Sequence, residues 1–158
     1  MGVLTYDLEM PSSIPPTKMF KAYVLDAHNL FPKILPNSIK NAEILEGDGG
    51  VGTIKLITLG EGSQYKHRVD RIDEASCTYS YSIIEGDVLE AADLEKISCN
   101  VKIDPTAEGG SVCRIKTTNY SKGLKEIAEE MIKGGKERSY ASFEATESYL
   151  HANPHAYN

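Results

Sequence analysis

The glycine-rich segment before residue 53 is the first part of this sequence whose residue types could do chemistry. It consists of Gly47, Asp48, Gly49, Gly50, Val51 and Gly52. Successive backbone N–H groups without side chains can wrap an anion. A phosphate-binding loop, however, needs Gly-Lys-Ser/Thr at the start of a helix, whereas Thr53, Ile54 and Lys55 continue as a predicted strand. We therefore interpret the segment as a rigid turn whose glycines supply positive φ angles, in preference to a nucleotide site.

Arg138 is a charged residue on the apolar side of a helical pattern near the C-terminus, between Gly135 and Ser142. A buried guanidinium must bond to a carboxylate, a phosphate or a carbonyl group. Its partner can be an acidic ligand, an internal Asp or Glu, or solvent reached by the long side chain. The sequence leaves these three possibilities open.

Three histidines are candidates for a ligand or metal role. His67 lies in a predicted strand, where a lone histidine is more often a hydrogen-bonded structural residue than a catalyst. His151 and His155 are four residues apart and could hold a metal on one helix face, but Pro154 between them ends the helix. We therefore predict no metal site and no cofactor.

Length, net charge and cysteine spacing limit the classes to which the protein can belong. The chain has 158 residues, which suits a single domain over residues 1–158, and its 41% hydrophobic and 25% charged residues are typical of globular proteins. A formal charge of -6 argues against generic binding to nucleic acid or anionic membranes. The N-terminus lacks the regions of a signal peptide, and Cys77, Cys99 and Cys113 have no CxxC spacing. We expect a cytoplasmic protein with reduced thiols and no membrane partner.

The periodicity of the chain predicts a mixed α+β architecture. Residues 3–10 alternate as a half-buried strand, and apolar spacing up to Pro36 predicts two short helices in a V, the second interrupted by Pro32. Further on, β-branched and aromatic runs with short turns predict an antiparallel meander of six strands. These strands are expected at residues 40–45, 53–59, 65–73, 77–85, 95–104 and 111–119. Beyond Gly123, a period near 3.6 predicts a helix of about 25 to 30 residues that ends before Pro154.

Alternation within the strands also predicts which side chains face the inside of the sheet. It places on inner faces Tyr79 and Tyr81 of one strand and Ile97, Cys99, Val101 and Ile103 of another. A tyrosine combines an apolar ring with a hydroxyl that needs a partner, which suits an amphipathic ligand. The alternative is that water or neighbouring side chains bond to these hydroxyls.

Seven short motifs occur in order along these elements. They are GVLTY at 2–6, NLFPK at 29–33, EGDGGVGTIK at 46–55, YSYSIIEG at 79–86, LEKIS at 94–98, ESYL at 147–150 and HAYN at 155–158. Together with the order of elements, they resemble the plant pathogenesis-related class 10 family, which includes the major birch pollen allergen. The likeness spans the chain.

This resemblance implies the helix-grip fold of the START-like superfamily, in which a seven-stranded antiparallel sheet wraps a long C-terminal helix around an internal hydrophobic cavity. Members bind cytokinins, sterols, flavonoids, fatty acids, indoles and similar amphipathic molecules. An intracellular, monomeric defence protein that stores or transports such amphipathic molecules is therefore implied. The resemblance also implies a set of ligand contacts, namely Tyr6, His67, Tyr79, Tyr81, Ile97, Cys99, Val101, Gly135, Arg138 and Ser142.

An enzyme is the alternative reading. A weak ribonuclease activity ascribed to some members would involve Lys55, Glu147 and Tyr149, with the lysine holding phosphate and the glutamate moving a proton. RNA is a partner in this alternative alone, and the acidic chain favours incidental roles for the three residues. A cavity-based catalyst of plant specialised metabolism would instead need a group of displaced pKa in the pocket, with His67 the first candidate.

Overall fold

A computed structural model of the protein describes residues 2–123 and 126–158. Within these residues, the strands are β1 Val3–Ser12, β2 Ile39–Glu46, β3 Ile54–Leu59, β4 Gln64–Asp73, β5 Thr78–Gly86, β6 Leu94–Pro105 and β7 Ser111–Ser121. The helices are α1 Pro16–Phe20, α2 Ala27–Ile34, α3 Asp87–Ala91 and α4 Glu129–Ala152, with a π-helical segment at Lys21–Leu25.

The seven strands form one antiparallel sheet in the order β1-β7-β6-β5-β4-β3-β2. Consecutive strands from β2 to β7 pair directly because their connections are short. The first strand instead pairs with the last, from Val3 opposite Tyr120 to Ser12 opposite Ser111. The predicted α+β fold with a seven-stranded antiparallel sheet and a long C-terminal helix is therefore confirmed.

The two short helices predicted near the N-terminus are present. Pro16 opens α1, because the N–H that proline lacks is not needed in a first helical turn. The π-helical segment continues α1 and ends where Asp26 N–H donates to the carbonyl of Lys21. The prediction that Pro32 interrupts the second helix is wrong. Pro32 lies inside α2, where its missing N–H costs one helical hydrogen bond, that to the carbonyl of His28.

A third short helix, α3, was not predicted from the sequence, which indicated a plain turn at Gly86 and Asp87. Gly86 has φ of +133°, and a Cβ there would lie 2.4 Å from the carbonyl oxygen of Gln64, so only glycine fits. Asp87 and Glu90 lie in the first turn of α3, where their negative charges interact favourably with the positive end of the helix dipole. Five residues are too few for a helical period to be visible in the sequence.

The C-terminal helix α4 begins later than the sequence predicted, at Glu129. Ala128 before it is extended, and Glu129 and Glu130 place two acidic side chains in the first turn. Residues 124 and 125, which the predicted helix includes, lie outside the described residues. The helix ends at Ala152, two residues before Pro154, as predicted.

The core of the protein lies at one end of the sheet. It is formed by buried side chains of α1, the π-helical segment, α2, the second half of α4 and strands β1 and β4 to β7, among them Met10, Phe20, Leu30, Val69, Ile103, Phe143 and Leu150. The buried residues of α4 are Phe143, Thr146 and Leu150, all in its second half. Apolar burial therefore anchors one half of α4, while the first half crosses the sheet without a packed core beneath it.

The glycine-rich segment is a closed turn between β2 and β3. Gly47, Gly49 and Gly52 all have φ between +89° and +102°, as the sequence predicted for a rigid turn. Its N–H groups bond within the protein: Gly49 donates to the Thr53 hydroxyl at 2.9 Å, and Gly52 donates to the carbonyl of Val69 at 2.8 Å. An anion would have to compete with these acceptors.

Thr53, which is fully buried, is the residue that closes this turn. We expect Thr53→Val to lower the free energy of unfolding by about 1 kcal/mol, because the Gly49 N–H loses its acceptor. Thr53→Ser keeps the hydroxyl and is the control. Urea unfolding curves of both variants provide the measurement, and a valine variant as stable as the serine variant contradicts the assignment.

Two adjacent glycines in α4 provide a second stability prediction. A Cβ at Gly134 would meet the flexible Arg138 side chain at 3.4 Å, whereas a Cβ at Gly135 would lie 2.7 Å from the Tyr6 hydroxyl oxygen. We expect Gly134→Ala to stabilise the protein by about 0.5–1 kcal/mol, the usual helical gain, and Gly135→Ala to show no such gain.

Adding Tyr6→Phe to Gly135→Ala removes the clashing oxygen, since the next Tyr6 atom lies 3.8 Å away. The double variant Tyr6→Phe, Gly135→Ala should therefore be more stable than Tyr6→Phe alone, by about the same amount as Gly134→Ala stabilises the wild type. Equal urea midpoints for the two single glycine variants would contradict this account of Gly135.

Candidate functional site

A pocket of about 900 Å³ lies between the inner face of the sheet and α4. All seven strands, the π-helical segment, α2, α3 and α4 contribute to its wall. Alternate residues of each strand face it, such as Tyr79 and Tyr81 on β5 and Ile97, Cys99 and Val101 on β6. Most of this wall is apolar.

The pocket remains open because α4 presents small side chains to it. Gly135, Ser139 and Ser142 lie on the wall, where larger residues would fill the space beneath the helix. Ser142 Oγ donates to the carbonyl of Ser139 and lies 3.2 Å from the Tyr23 hydroxyl, so it is held by the protein. The residues that pack α4 to the core begin at Phe143, just beyond this stretch.

His67, Tyr79 and Tyr81 form an aromatic cluster on the strand wall of the pocket. The His67 ring stacks on Tyr81, with centroids 4.1 Å apart and planes at 7°. His67 Nε2 lies 2.8 Å from the Tyr79 hydroxyl. Burial, with the charge of Lys55 as a further cause, lowers the pKa of His67 to about 3. The imidazole is therefore neutral at physiological pH, and burial likewise raises the pKa of Tyr79.

Lys55 and His28 lie on the wall beside this cluster. Lys55, on β3, is 7% exposed and lies directly opposite His67 in the β3–β4 pairing. Burial lowers its pKa, an effect that Asp26 opposes. His28, on α2, has a buried Nδ1 atom with no hydrogen-bond partner among residues 2–123 and 126–158. Burial and the charge of Lys55 lower the pKa of His28.

Arg138 lines the pocket and is exposed to solvent. The reason is that the wall around it is not filled by core side chains. Among the ion pairs of the described residues, none involves Arg138. Of the three alternatives left open by the sequence, access to solvent agrees with this exposure, and an acidic ligand stays a prediction.

The structure brings all of the predicted ligand contacts to the wall of this one pocket. They are Tyr6, His67, Tyr79, Tyr81, Ile97, Cys99, Val101, Gly135, Arg138 and Ser142. The glycine-rich turn lies outside the wall. Whether these side chains contact a ligand stays a prediction.

The three residues of the ribonuclease alternative are not brought together. Lys55 faces the large pocket, whereas Glu147 lines a separate pocket between β1, α4 and the β6–β7 turn. The Tyr149 hydroxyl accepts a hydrogen bond from Lys33 Nζ at 2.9 Å. This arrangement offers no shared surface on which the lysine and the glutamate could act on one phosphate.

Several residues of the wall were not predicted as ligand contacts from the sequence. Tyr65, two residues before His67 on the same strand, could have been found by alternation. Tyr23 and His28 come from the short helical region, and Asn119 from β7 carries a buried amide nitrogen without a partner. Their positions depend on how separate elements pack, for which the sequence carries no periodic signal.

No cluster of three or more His, Cys, Asp or Glu side chains suited to a metal occurs in the described residues. His151 Nε2 instead lies 3.2 Å from the Ser13 hydroxyl. Among the helices that the structure describes, none has the length and apolarity needed to span a bilayer.

Comparison with known proteins agrees with this architecture. The chain is 52% identical to the major allergen Pru ar 1 of Prunus armeniaca, with 100% of each chain covered. The crystal structure of Ara h 8.0201 superposes with a TM-score of 0.88 at 40% identity, covering 96% of this chain and 100% of that one. Norcoclaurine synthase from Thalictrum flavum shares the fold, with a TM-score of 0.72 at 20% identity over 96% of this chain and 88% of that one.

The family model described as the pathogenesis-related protein Bet v 1 family matches residues 1–152. The matched range includes all the strands and helices described above, from Val3 of β1 to Ala152 of α4. The chain therefore belongs to the pathogenesis-related protein Bet v 1 family.

Proposed function

We propose that this protein binds amphipathic, mostly hydrophobic small molecules in the pocket beneath α4 and stores or transports them in a plant defence or stress response. Cytokinins, sterols, flavonoids and indoles are the proposed ligand classes. The single observation that carries the proposal is a hollow of about 900 Å³ with a mostly apolar wall, in a chain of only 158 residues. Moving apolar ligand surface from water into such a wall yields about 25 cal/mol per Å².

The aromatic cluster supports a ligand with a flat ring. The rings of Tyr81 and His67 stack with centroids 4.1 Å apart, and the Tyr79 hydroxyl lies 2.8 Å from Nε2 of the imidazole. A neutral histidine and two protonated tyrosines offer flat faces and hydrogen-bonding groups without a charge that would have to be desolvated. Such a surface orients an amphipathic molecule, which is the selectivity expected of a carrier.

The carrier is favoured over an enzyme by the state of the polar groups. Catalytic acid–base work needs a group that titrates near the working pH, but the pKa of His67 is lowered to about 3. The separation of Lys55 from Glu147 gives the ribonuclease alternative no support. The norcoclaurine synthase likeness supports the fold alone.

The cysteines support the proposed cytoplasmic location. Cys77, Cys99 and Cys113 are free and buried. Burial raises the pKa of the Cys113 thiol to about 12, so it remains protonated and unreactive. Unpaired thiols of this kind suit a reducing compartment.

Binding can be tested with the neutral fluorescent probe N-phenyl-1-naphthylamine. We expect the wild-type protein to enhance its fluorescence, and Ile97→Asp to weaken binding about tenfold or more, because the ligand would desolvate an unpaired carboxylate on the wall. Unlabelled cytokinins, sterols, flavonoids or indoles should displace the probe.

Val3→Asp is the matched control, since Val3 is 57% exposed on β1 and does not line the pocket. Its binding curve should equal that of the wild type, and thermal melting should show both variants folded. A probe that fails to bind, or that binds equally to Ile97→Asp, contradicts the proposal.

The pKa of His67 predicts a pH dependence of stability. In the folded protein the pKa of His67 is about 3, whereas in the unfolded chain it lies near the ordinary histidine value of 6.5. Its contribution to stability is therefore complete above pH 6.5 and is lost as the pH falls towards 3, with a slope of up to about 1.4 kcal/mol per pH unit. We expect His67→Phe, which keeps a stacked ring, to lose less stability between pH 6.5 and 4.

Urea unfolding at pH 7.5, 5.5 and 4.5 measures this difference. His155→Phe serves as the control, because His155 is exposed. The interpretation is wrong if the wild-type and His67→Phe profiles run parallel over this range.

A further inference from the structure

Lys55 carries an amine that faces the pocket without a partner. Its side chain is 7% exposed and lies on the pocket wall, on the inner face of β3. No hydrogen bond or ion pair joins its terminal nitrogen to any residue in the described ranges. In contrast to His28 Nδ1, Lys55 Nζ is not closed off from the space around it. A small molecule in the pocket can therefore reach this nitrogen.

The surroundings of Lys55 favour its neutral amine form. Burial lowers the pKa of Lys55, because an ammonium group loses hydration in such a wall. Asp26 opposes this effect, but the two groups form no ion pair, and Asp26 instead accepts hydrogen bonds from Asn29 and Tyr157. More of this amine is therefore unprotonated at neutral pH than of a lysine on the surface. The unprotonated form is the nucleophile.

The aromatic cluster provides a flat surface beside this amine. Lys55 is directly opposite His67 in the β3–β4 pairing, and side chains of such a pair have Cβ atoms about 4.5–5.5 Å apart. The charge of Lys55 also lowers the pKa of His67, in agreement with this proximity. His67 in turn stacks on Tyr81. A flat aromatic molecule against the cluster can therefore present a carbonyl substituent to Lys55 Nζ.

We propose that Lys55 is a nucleophile that forms a Schiff base with aromatic aldehydes in the pocket. The nitrogen lone pair attacks the carbonyl carbon, and a proton passes from nitrogen to the carbonyl oxygen to give a carbinolamine. Loss of one water molecule then leaves a C=N bond, so amine and aldehyde become imine and water without an oxidant or a reductant. The apolar wall slows the reverse hydrolysis because it limits the access of water. This activity goes beyond carriage, since it joins the small molecule to the chain by a reversible covalent bond.

Reductive trapping with 2-naphthaldehyde tests this reaction on the full chain. Sodium cyanoborohydride reduces the imine to a stable secondary amine, so each adduct is kept as a naphthylmethyl group. At pH 7.5, we expect Lys55 to be labelled about tenfold or more faster than any other lysine, because its neutral fraction is larger and the aldehyde binds beside it. Intact mass counts the groups, and peptide mapping separates Lys55 from the α-amino group, whose pKa of about 8 also favours reaction.

A ligand that fills the pocket should protect Lys55. N-phenyl-1-naphthylamine has no carbonyl group, so it competes for the pocket without forming an imine. At about ten times its Kd, we expect it to slow the labelling of Lys55 about tenfold. The rate at Lys102, which lies outside the pocket wall and pairs with Asp104, should stay unchanged. This measurement uses the wild-type protein and does not depend on the folding of a variant.

Lys55→Arg is the matched variant. Arginine keeps the positive charge, but its guanidinium remains charged at this pH and forms no imine. The fast adduct seen by intact mass should therefore be lost, and the first group should be added about tenfold more slowly. Lys102→Arg is the control and should keep the wild-type rate. Thermal melting and N-phenyl-1-naphthylamine binding show whether both variants are folded.

The outcomes separate this activity from the proposed function. If N-phenyl-1-naphthylamine binds but Lys55 is labelled no faster than the other lysines, the Schiff-base inference is wrong while the carrier function stands. Labelling of Lys55 that bound N-phenyl-1-naphthylamine does not slow also overturns the inference, since the amine then reacts outside the pocket. If N-phenyl-1-naphthylamine does not bind, the carrier function fails, whereas fast labelling that Lys55→Arg abolishes still supports the reaction of this amine.

Discussion

The whole arrangement depends on how α4 is held over the sheet. Phe143, Thr146 and Leu150 bury one half of the helix in the core, and the other half carries glycine and serine where it faces the strands. If large apolar residues occupied those positions, helix and sheet would close on each other, because protein interiors pack to high density. A helix secured at one end and held away from the sheet at the other is what creates the pocket.

The hollow changes the energetics of every polar group on its wall. In a filled core, Lys55 and His28 would have to be paired or replaced, since unpaired polar groups in a dry interior are destabilising. Here the open volume gives the ammonium access to water or to a guest molecule. Stability and binding are thus in tension at the same residues, which is the usual situation where a protein keeps a polar site inside an apolar cavity.

Much of the fold could be predicted from the sequence because strong local signals agree with the tertiary structure. The strand prediction succeeded where β-branched runs alternate between short glycine-rich turns, as around Thr53, and β6 and β7 were placed to within two residues. The first strand was also found, but its pairing with β7 joins Val3 to Tyr120, and no local pattern encodes such a distant contact. The family resemblance implied seven antiparallel strands and left this pairing unspecified.

Those parts of the pocket wall that consist of alternate strand residues could be predicted from the sequence. Tyr79, Tyr81 and the inner face of β6 follow from a period of two. His28 does not, because its place on the wall depends on how α2 packs against the edge of the sheet. Its unpaired nitrogen is a property of the assembled structure. The partner of Arg138 stayed open at the sequence level because helical periodicity gives a direction without saying whether the space in that direction is filled.

The pairing of β1 with β7 has a consequence for the order in which the chain folds. During synthesis the N-terminal strand emerges first, but its partner at Ser111–Ser121 follows about a hundred residues later. At the usual rate of about 5–20 residues per second, the first strand remains unpaired for several seconds. The apolar side chains of Leu8 and Met10 lack their partner strand during that interval, whereas the folded protein buries both of them.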